Sequence, residues 1–205
     1  MPINPKIIGL FERCLNADYS GENEHGVRWA IERDGDRVYV LFDATGGPPW
    51  SAGWRTNYRF WPKRWRYDMR AHAGFVDAWE SVRDEVIASI PDGVKRITCS
   101  GYSQGGALAQ LAYLDVGDAD DCVAFAAPRV FWPWWSKARK YDSISRVFVR
   151  GDTVTHLPPT LVGYRHVGES HGLGWLRALL LPFGMVWQLV IGSVFHHPDV
   201  YRKFL

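Results

Sequence analysis

The chain is poor in cysteine, with three in 205 residues: Cys14, Cys99 and Cys122. An odd count without a metal-type spacing builds neither a disulfide framework nor a zinc site. All three sit among apolar neighbours, which predicts buried thiols. Net charge is scarce too. Lys and Arg total 24 against 22 Asp and Glu, leaving +2, too little to name a polyanionic partner. No repeat, low-complexity tract or linker interrupts the sequence, and this length fits one domain, residues 1–205. The opening MPINPKIIGLFERC has no charged start, long apolar run or small-residue cleavage site. That argues against a signal peptide and predicts a protein that is cytoplasmic or released by lysis.

What the chain does have is apolar and aromatic. Hydrophobic residues make up 47%, enough to fill a core, and eleven tryptophans gather around residues 50–65 and 132–135. Ile7, Ile8, Phe11, Cys14 and Leu15 recur at helical spacing and predict a helix over 5–16. VRWAI and RVYVLF alternate, and the Asp34-Gly35 pair between them predicts a hairpin. Residues 46–71 read as irregular. Phe75, Trp79, Val82, Val86 and Ile90 share one helical face over 75–90. VKRITC, DCVAFAAP, SRVFVR and a short last YRHVG read as further strands. Strands alternating with helices predict an α/β fold with a mostly parallel central sheet and helices on both faces.

The stretch CSGYSQGGALAQLAYLD, residues 99–115, carries G-x-S-x-G across Gly101, Ser103 and Gly105. The pattern alone is weak; its surroundings strengthen it. A β-prone run precedes it, and Ala107, Leu108, Leu111, Ala112 and Leu114 follow at helical spacing. Strand, sharp turn and helix are what a nucleophile elbow needs. The bland alternative is a glycine-rich turn in which Ser103 merely caps a helix. Ligands of open α/β sheets bind beyond the carboxyl ends of strands, and Asp152 follows SRVFVR at such an end. Serine, then acid, then histidine is the chain order of α/β-hydrolases. His156, His166, His171, His196 and His197 all follow the acid. His156 reads as shaping the acid's loop, His166 as part of the YRHVG strand and His171 as a loop residue. The 196–197 pair stands between the last strand and a final short helix, PDVYRKFL, where an imidazole can swing over the elbow.

With these blocks in view, the chain resembles the class 3, fungal-lipase-like, lipases of the α/β-hydrolase fold over about residues 38–201. VYVLFDAT resembles the family's strand ending in F-R-G-T, and HAGFVDAW its H-x-G-F. GYSQGGALAQLA resembles G-H-S-L-G-G-A-L-A, FAAPRV is similar to F-G-x-P-R-V, and RGDTVTHLPP to N-D-x-V-P-x-L-P-P. YRHVGE looks like the last strand and HHPDVY like the terminal H-x-P-x-x-Y. The resemblance implies Ser103 as nucleophile, Asp152 as acid and, counting back from Tyr201, His196 as base. It implies an oxyanion hole from the backbone N–H groups of Gln104 and Thr45, with the Thr45 hydroxyl. It implies carboxylic-ester hydrolysis through an acyl-enzyme, with no cofactor and no metal, on lipid or other acyl esters. Asp43-Ala44 replaces the family's Arg-Gly before the threonine. Thr45 is therefore expected near Ser103, with Asp43 turned aside onto an arginine. Tyr102 and Gln104 replace His and Leu, and G-Y-S-Q-G is also the elbow of cutinases and of phage mycolyl-ester hydrolases, which keeps a cell-envelope ester hydrolase as an alternative. An inert α/β-hydrolase used for binding is the non-enzymatic one.

The chemistry asks for these residue types. A serine hydroxyl is a poor nucleophile at neutral pH without a histidine within hydrogen-bond reach. A carboxylate fixes the imidazole's tautomer and steadies the imidazolium, and N–H donors stabilise the oxyanion. Two tracts predict substrate or surface contact. Residues 46–71 interleave aromatics with arginines and read as a lid or rim facing an anionic surface rather than as a nucleic-acid site. Residues 172–195 are uncharged from 178 onward and long enough to span a membrane. Pro182, Gly184 and Gly192 interrupt them, and His196 must return to the elbow, so they read as an apolar cap or buried core with interfacial lipid contact. Tyr102, Phe131, Trp132 and Trp187 are the expected substrate contacts.

Overall fold

The computed structural model describes residues 4–19, 23–46, 50–132, 139–174 and 194–205. The first helix, α1 (Pro5–Asn16), starts where the Asn4 side chain accepts from the Lys6 N–H at 3.0 Å, with Pro5 in the first turn. That position suits proline, whose missing N–H would have no helical partner there. Its buried face is Leu10, Phe11 and Cys14. Next comes the hairpin of β1 (Trp29–Asp34) and β2 (Arg37–Phe42). Asp34 pairs with Arg37, so the loop is Gly35-Asp36, one residue later than the dipeptide suggests, and Gly35 takes the positive φ of 62°.

From β2 the sheet continues in parallel through β5 (Arg96–Tyr102), β6 (Asp121–Phe125), β8 (Ile144–Val149) and β9 (Glu169–Leu173), in the order β1-β2-β5-β6-β8-β9. The antiparallel partner is β1, at one edge. The mostly parallel α/β-hydrolase sheet is therefore present. Two cores flank it. On one face Val38, Val40 and Cys99 pack with α3 (Ala73–Ser89) and α4 (Gln104–Asp115). On the other, Leu41, Phe125 and Val147 pack with Phe11 of α1 and Tyr201 of α5 (Pro198–Phe204). Residues 104–114 of α4 are all buried, which is why its sequence shows no polar face.

Two expectations need correction. Residues 46–71 are not irregular throughout. They contain α2 (Ala52–Tyr58), β3 (Pro62–Arg64) and β4 (Arg70–His72), and with β7 (Phe131–Trp132) the strands make a second, antiparallel sheet in the order β3-β4-β7. Strands of two or three residues are too short to leave a period in the sequence. The last strand is not YRHVG but the next five residues. Tyr164 instead bonds the Phe60 carbonyl, and the Arg165 N–H bonds Phe131 at 3.0 Å. Gly168 then turns at φ 74°, against the Ile144 carbonyl where a Cβ would overlap, and delivers β9 beside β8. His171 thus lies in a strand rather than a loop.

The H-x-G-F segment is a joint between elements. The His72 side chain caps α3 by accepting from Phe75 N–H and also meets the backbone of Asn57 in α2. Gly74 lies against the Thr56 carbonyl, with no room for a Cβ.

Candidate active site

The site forms where β5 turns into α4. Ser103 stands between them at φ 57° and ψ −120°, a region that disfavours any residue with a Cβ. Its N–H is held by the Phe125 carbonyl at 2.9 Å. The glycines on either side are steric requirements. A Cβ on Gly105 would overlap the Phe42 carbonyl at the end of β2, and one on Gly101 would lie 2.8 Å from the same oxygen and overlap Gly105. Strand, elbow and helix approach too closely for anything larger.

Asp152 follows β8 through Gly151 at φ 104° and is fully buried. One carboxylate oxygen accepts from the Val154 N–H at 2.9 Å. The other accepts from the Tyr201 hydroxyl at 2.6 Å and lies 2.8 Å from His196 Nδ1. His196 Nε2 lies 2.8 Å from Ser103 Oγ. A carboxylate only accepts, so Nδ1 carries the proton and Nε2 presents its lone pair to the serine hydroxyl. Burial, and then the Asp152 charge, raise Tyr201 well above the ordinary tyrosine value, so it stays a neutral donor.

Of the five candidate histidines, His196 reaches both the serine and the acid. His156 sits under Arg129, whose guanidinium bonds its carbonyl and that of Pro158. His166 bonds the Thr155 carbonyl at 2.6 Å, and burial, then the Arg146 charge, push it down to about 3. His171 faces Glu169 at 3.8 Å. His197 caps α5, accepting from the Asp199 N–H at 3.3 Å.

The other side of the elbow is a polar network. Thr45 donates to the Gln104 side chain at 2.9 Å and accepts from Asn57 at 3.0 Å. Gln104 opens α4, where a backbone N–H has no acceptor within the helix and faces outward as a donor. Asp43 forms an ion pair with Arg28 and accepts from its neighbour Ala44 at 2.7 Å. These contacts put the Thr45 hydroxyl beside the residue that follows the nucleophile.

Three of the expected substrate contacts have other tasks. Tyr102 is 3% exposed and holds His196: its ring stacks on the imidazole and its hydroxyl bonds the His196 carbonyl. Phe131 is 1% exposed and packs on Tyr141 in the core. Trp132 donates to the Val162 carbonyl at 2.9 Å and lies under Arg70. Trp187 lies outside the described residues, as does most of 172–195.

The arginines of the aromatic tract are largely neutralised. Arg59 and Lys63 share Asp77 at 2.7 Å each, and Arg66 meets Asp115 at 2.5 Å. Trp50 and Trp61 are each 75% exposed, a rim more suited to an apolar surface than to a polyanion. Among the described residues no helix is long and apolar enough to cross a membrane.

Sequence reasoning overlooked Tyr201 as a partner of the acid, and Arg129 as the clamp on the acid's loop. Tyr201 carried a signal, a tyrosine one turn into the helix after the histidine; Arg129 carried none beyond the FAAPRV block.

Comparison with known proteins agrees with this architecture. The family described as Lipase (class 3) matches residues 48–162, more than half of the chain. A lipase of Rhizomucor miehei is 29% identical over 117 residues, covering 50% of this chain and 32% of that protein. The secreted mono- and diacylglycerol lipase 1 of Fusarium solani is 31% identical over 134 residues, covering 58% and 40%. The alignments thus span less than half the length of either relative. The solved structure of the Rhizomucor miehei triacylglyceride lipase superposes with a TM-score of 0.67 at 20% identity, covering 88% of this chain and 82% of that one.

Proposed function

The chain belongs to the class 3 lipase family, and on that premise we propose that it is a serine carboxylic-ester hydrolase, with Ser103 as nucleophile, His196 as base and Asp152 as acid. The observation that carries the reading is the line from Asp152 through His196 to Ser103, with both gaps 2.8 Å, on a strained strand-to-helix turn. A capping serine would need neither the histidine nor a buried acid behind it.

In this reading His196 Nε2 takes the Ser103 proton as Oγ attacks the ester carbonyl. The carbonyl oxygen becomes an oxyanion facing the N–H groups of Gln104 and Thr45; a donor of this kind lowers the barrier by roughly 3–4 kcal/mol. The Asp152 carboxylate, anchored by Tyr201 and the Val154 N–H, steadies the imidazolium without taking its proton. The imidazolium then protonates the departing alkoxide, leaving an acyl-serine. Water, activated by His196, attacks that ester and frees the acid.

The relatives are named lipases, one of them a mono- and diacylglycerol lipase, so acyl glycerols are the substrate class we propose. The exposed Trp50 and Trp61 favour contact with a lipid surface. A fluorophosphonate should label Ser103 and abolish turnover. Hydrolysis of p-nitrophenyl esters should rise with chain length and again when lipid droplets are supplied. A chain that takes no label would be an inert binder. Hydrolysis confined to short soluble esters would favour the cutinase-like alternative, for which Tyr102 and Gln104 in the elbow speak.

A further inference from the structure

His196 lies in a turn between the helical residues 194–195 and α5. Side chains hold it there as well. Tyr102, the last residue of β5 and the neighbour of Ser103, supplies two of the contacts. Its ring lies on the imidazole with centroids 5.4 Å apart and planes 29° apart, and its hydroxyl donates to the His196 carbonyl. The ring is itself braced. Tyr201 meets it edge-on at 5.6 Å and 90°, and Phe11 of α1 at 5.9 Å and 70°.

We propose that Tyr102 is a positioning residue for His196, tying the histidine-bearing turn to the strand that carries the nucleophile, so that base and serine move as one unit. The inference rests on the triad reading above. When Ser103 attacks, the proton on Oγ passes to Nε2 and the imidazole becomes a cation; it gives that proton to the leaving alkoxide. The π-face of Tyr102 favours the cationic ring, and the hydroxyl keeps the turn from drifting while the proton is in transit. Both contributions act after substrate has bound, so they belong to kcat rather than KM.

Tyr102→Phe keeps the ring and removes one oxygen; Tyr102→Leu removes both contributions. The two variants are compared with wild type on a soluble p-nitrophenyl ester, with competent sites counted by fluorophosphonate titration and Ser103→Ala as the inactive control. Per titrated site, kcat should fall about fivefold in Tyr102→Phe and about a hundredfold in Tyr102→Leu, with KM within about twofold of wild type. An unchanged kcat per site in both variants would make Tyr102 purely structural. A raised KM with kcat intact would make it a substrate contact. Either result overturns the proposal while leaving the triad standing. If wild-type protein takes no label and hydrolyses nothing, the triad reading itself fails.

Discussion

The two halves of the site are held by different means. On the histidine side, Ser103 is fixed by its glycines and the Phe125 carbonyl, Asp152 by the Val154 N–H and the buried Tyr201 hydroxyl, and His196 by the ring and hydroxyl of Tyr102. On the oxyanion side, the Thr45 hydroxyl is held by two polar side chains, Gln104 at the start of α4 and Asn57 of α2, with His72 behind Asn57. A buried arrangement anchored on the backbone at the serine and the acid tolerates little substitution. A side-chain network can be retuned, and that is the half in which Asp43-Ala44 stands before Thr45. In the proposed reading, the ion pair with Arg28 keeps the Asp43 charge from opposing an oxyanion.

The largest effects should come from breaking the histidine half. Ser103→Ala or His196→Ala should each reduce ester kcat by about 10⁴-fold or more, and the double variant should lose little further, since triad members act as a unit. Steady-state rates on one soluble ester decide this. A large additional loss in the double variant would mean that the two residues act separately.

Acid should test the other half. Burial pushes His72 down to about 4 from its ordinary 6.5. The unfolded chain therefore takes up a proton first as pH falls, and the stability His72 contributes is complete above about pH 6.5 and drains away towards pH 4. The loss by pH 4 should be on the order of 3 kcal/mol from this residue. Urea midpoints between pH 7 and 4.5 measure the slope. His72→Asn keeps a capping side chain for α3 and removes the titration, so its slope should be flatter; an unchanged slope would move the effect to another group.

Tyr201→Phe is a smaller break in the histidine half. Removing its hydroxyl leaves one buried Asp152 oxygen with a single polar neighbour, His196, and should lower stability by about 1–2 kcal/mol and kcat by roughly tenfold. Melting curves and kcat read the two separately. Thr45→Ala should have the smallest effect, a loss of about threefold in kcat/KM, because its hydroxyl already donates to Gln104 and the N–H remains. A loss beyond about a hundredfold would make the hydroxyl a principal oxyanion donor and erase the contrast between the halves.

The residues that sequence made legible are those whose chemistry depends on local pattern. G-x-S-x-G encodes its own geometry, because the backbone approach at Gly101 and Gly105 forbids a side chain. The acid at the end of β8 follows from the rule about strand ends, and the apolar face of α3 from its period. What stayed hidden was made by distant parts of the chain. Residues 164–168 read like a short strand, yet Tyr164 and Arg165 are used to reach Phe60 and Phe131, and nothing local distinguishes the two uses. Aromatic residues are ambiguous in the same way. Tyr102, Phe131 and Trp132 read as substrate contacts because sequence states their size and not the side they face. The charges on the aromatic tract could not be judged without Asp77 and Asp115, which neutralise them from α3 and α4.

The backbone angle at Ser103 sets function against foldability. A non-glycine residue at a φ of 57° raises the energy of the native state by about 1–3 kcal/mol, while glycine adopts it freely. Set against glycine's greater freedom in the unfolded chain, worth about 0.4–1 kcal/mol, a glycine at this position would leave the domain as stable as the natural sequence or more so, and unable to form an acyl-enzyme. Selection for stability alone would favour that glycine. On the proposed reading, Ser103 is thus a position where the best folder and the working ester hydrolase are different sequences.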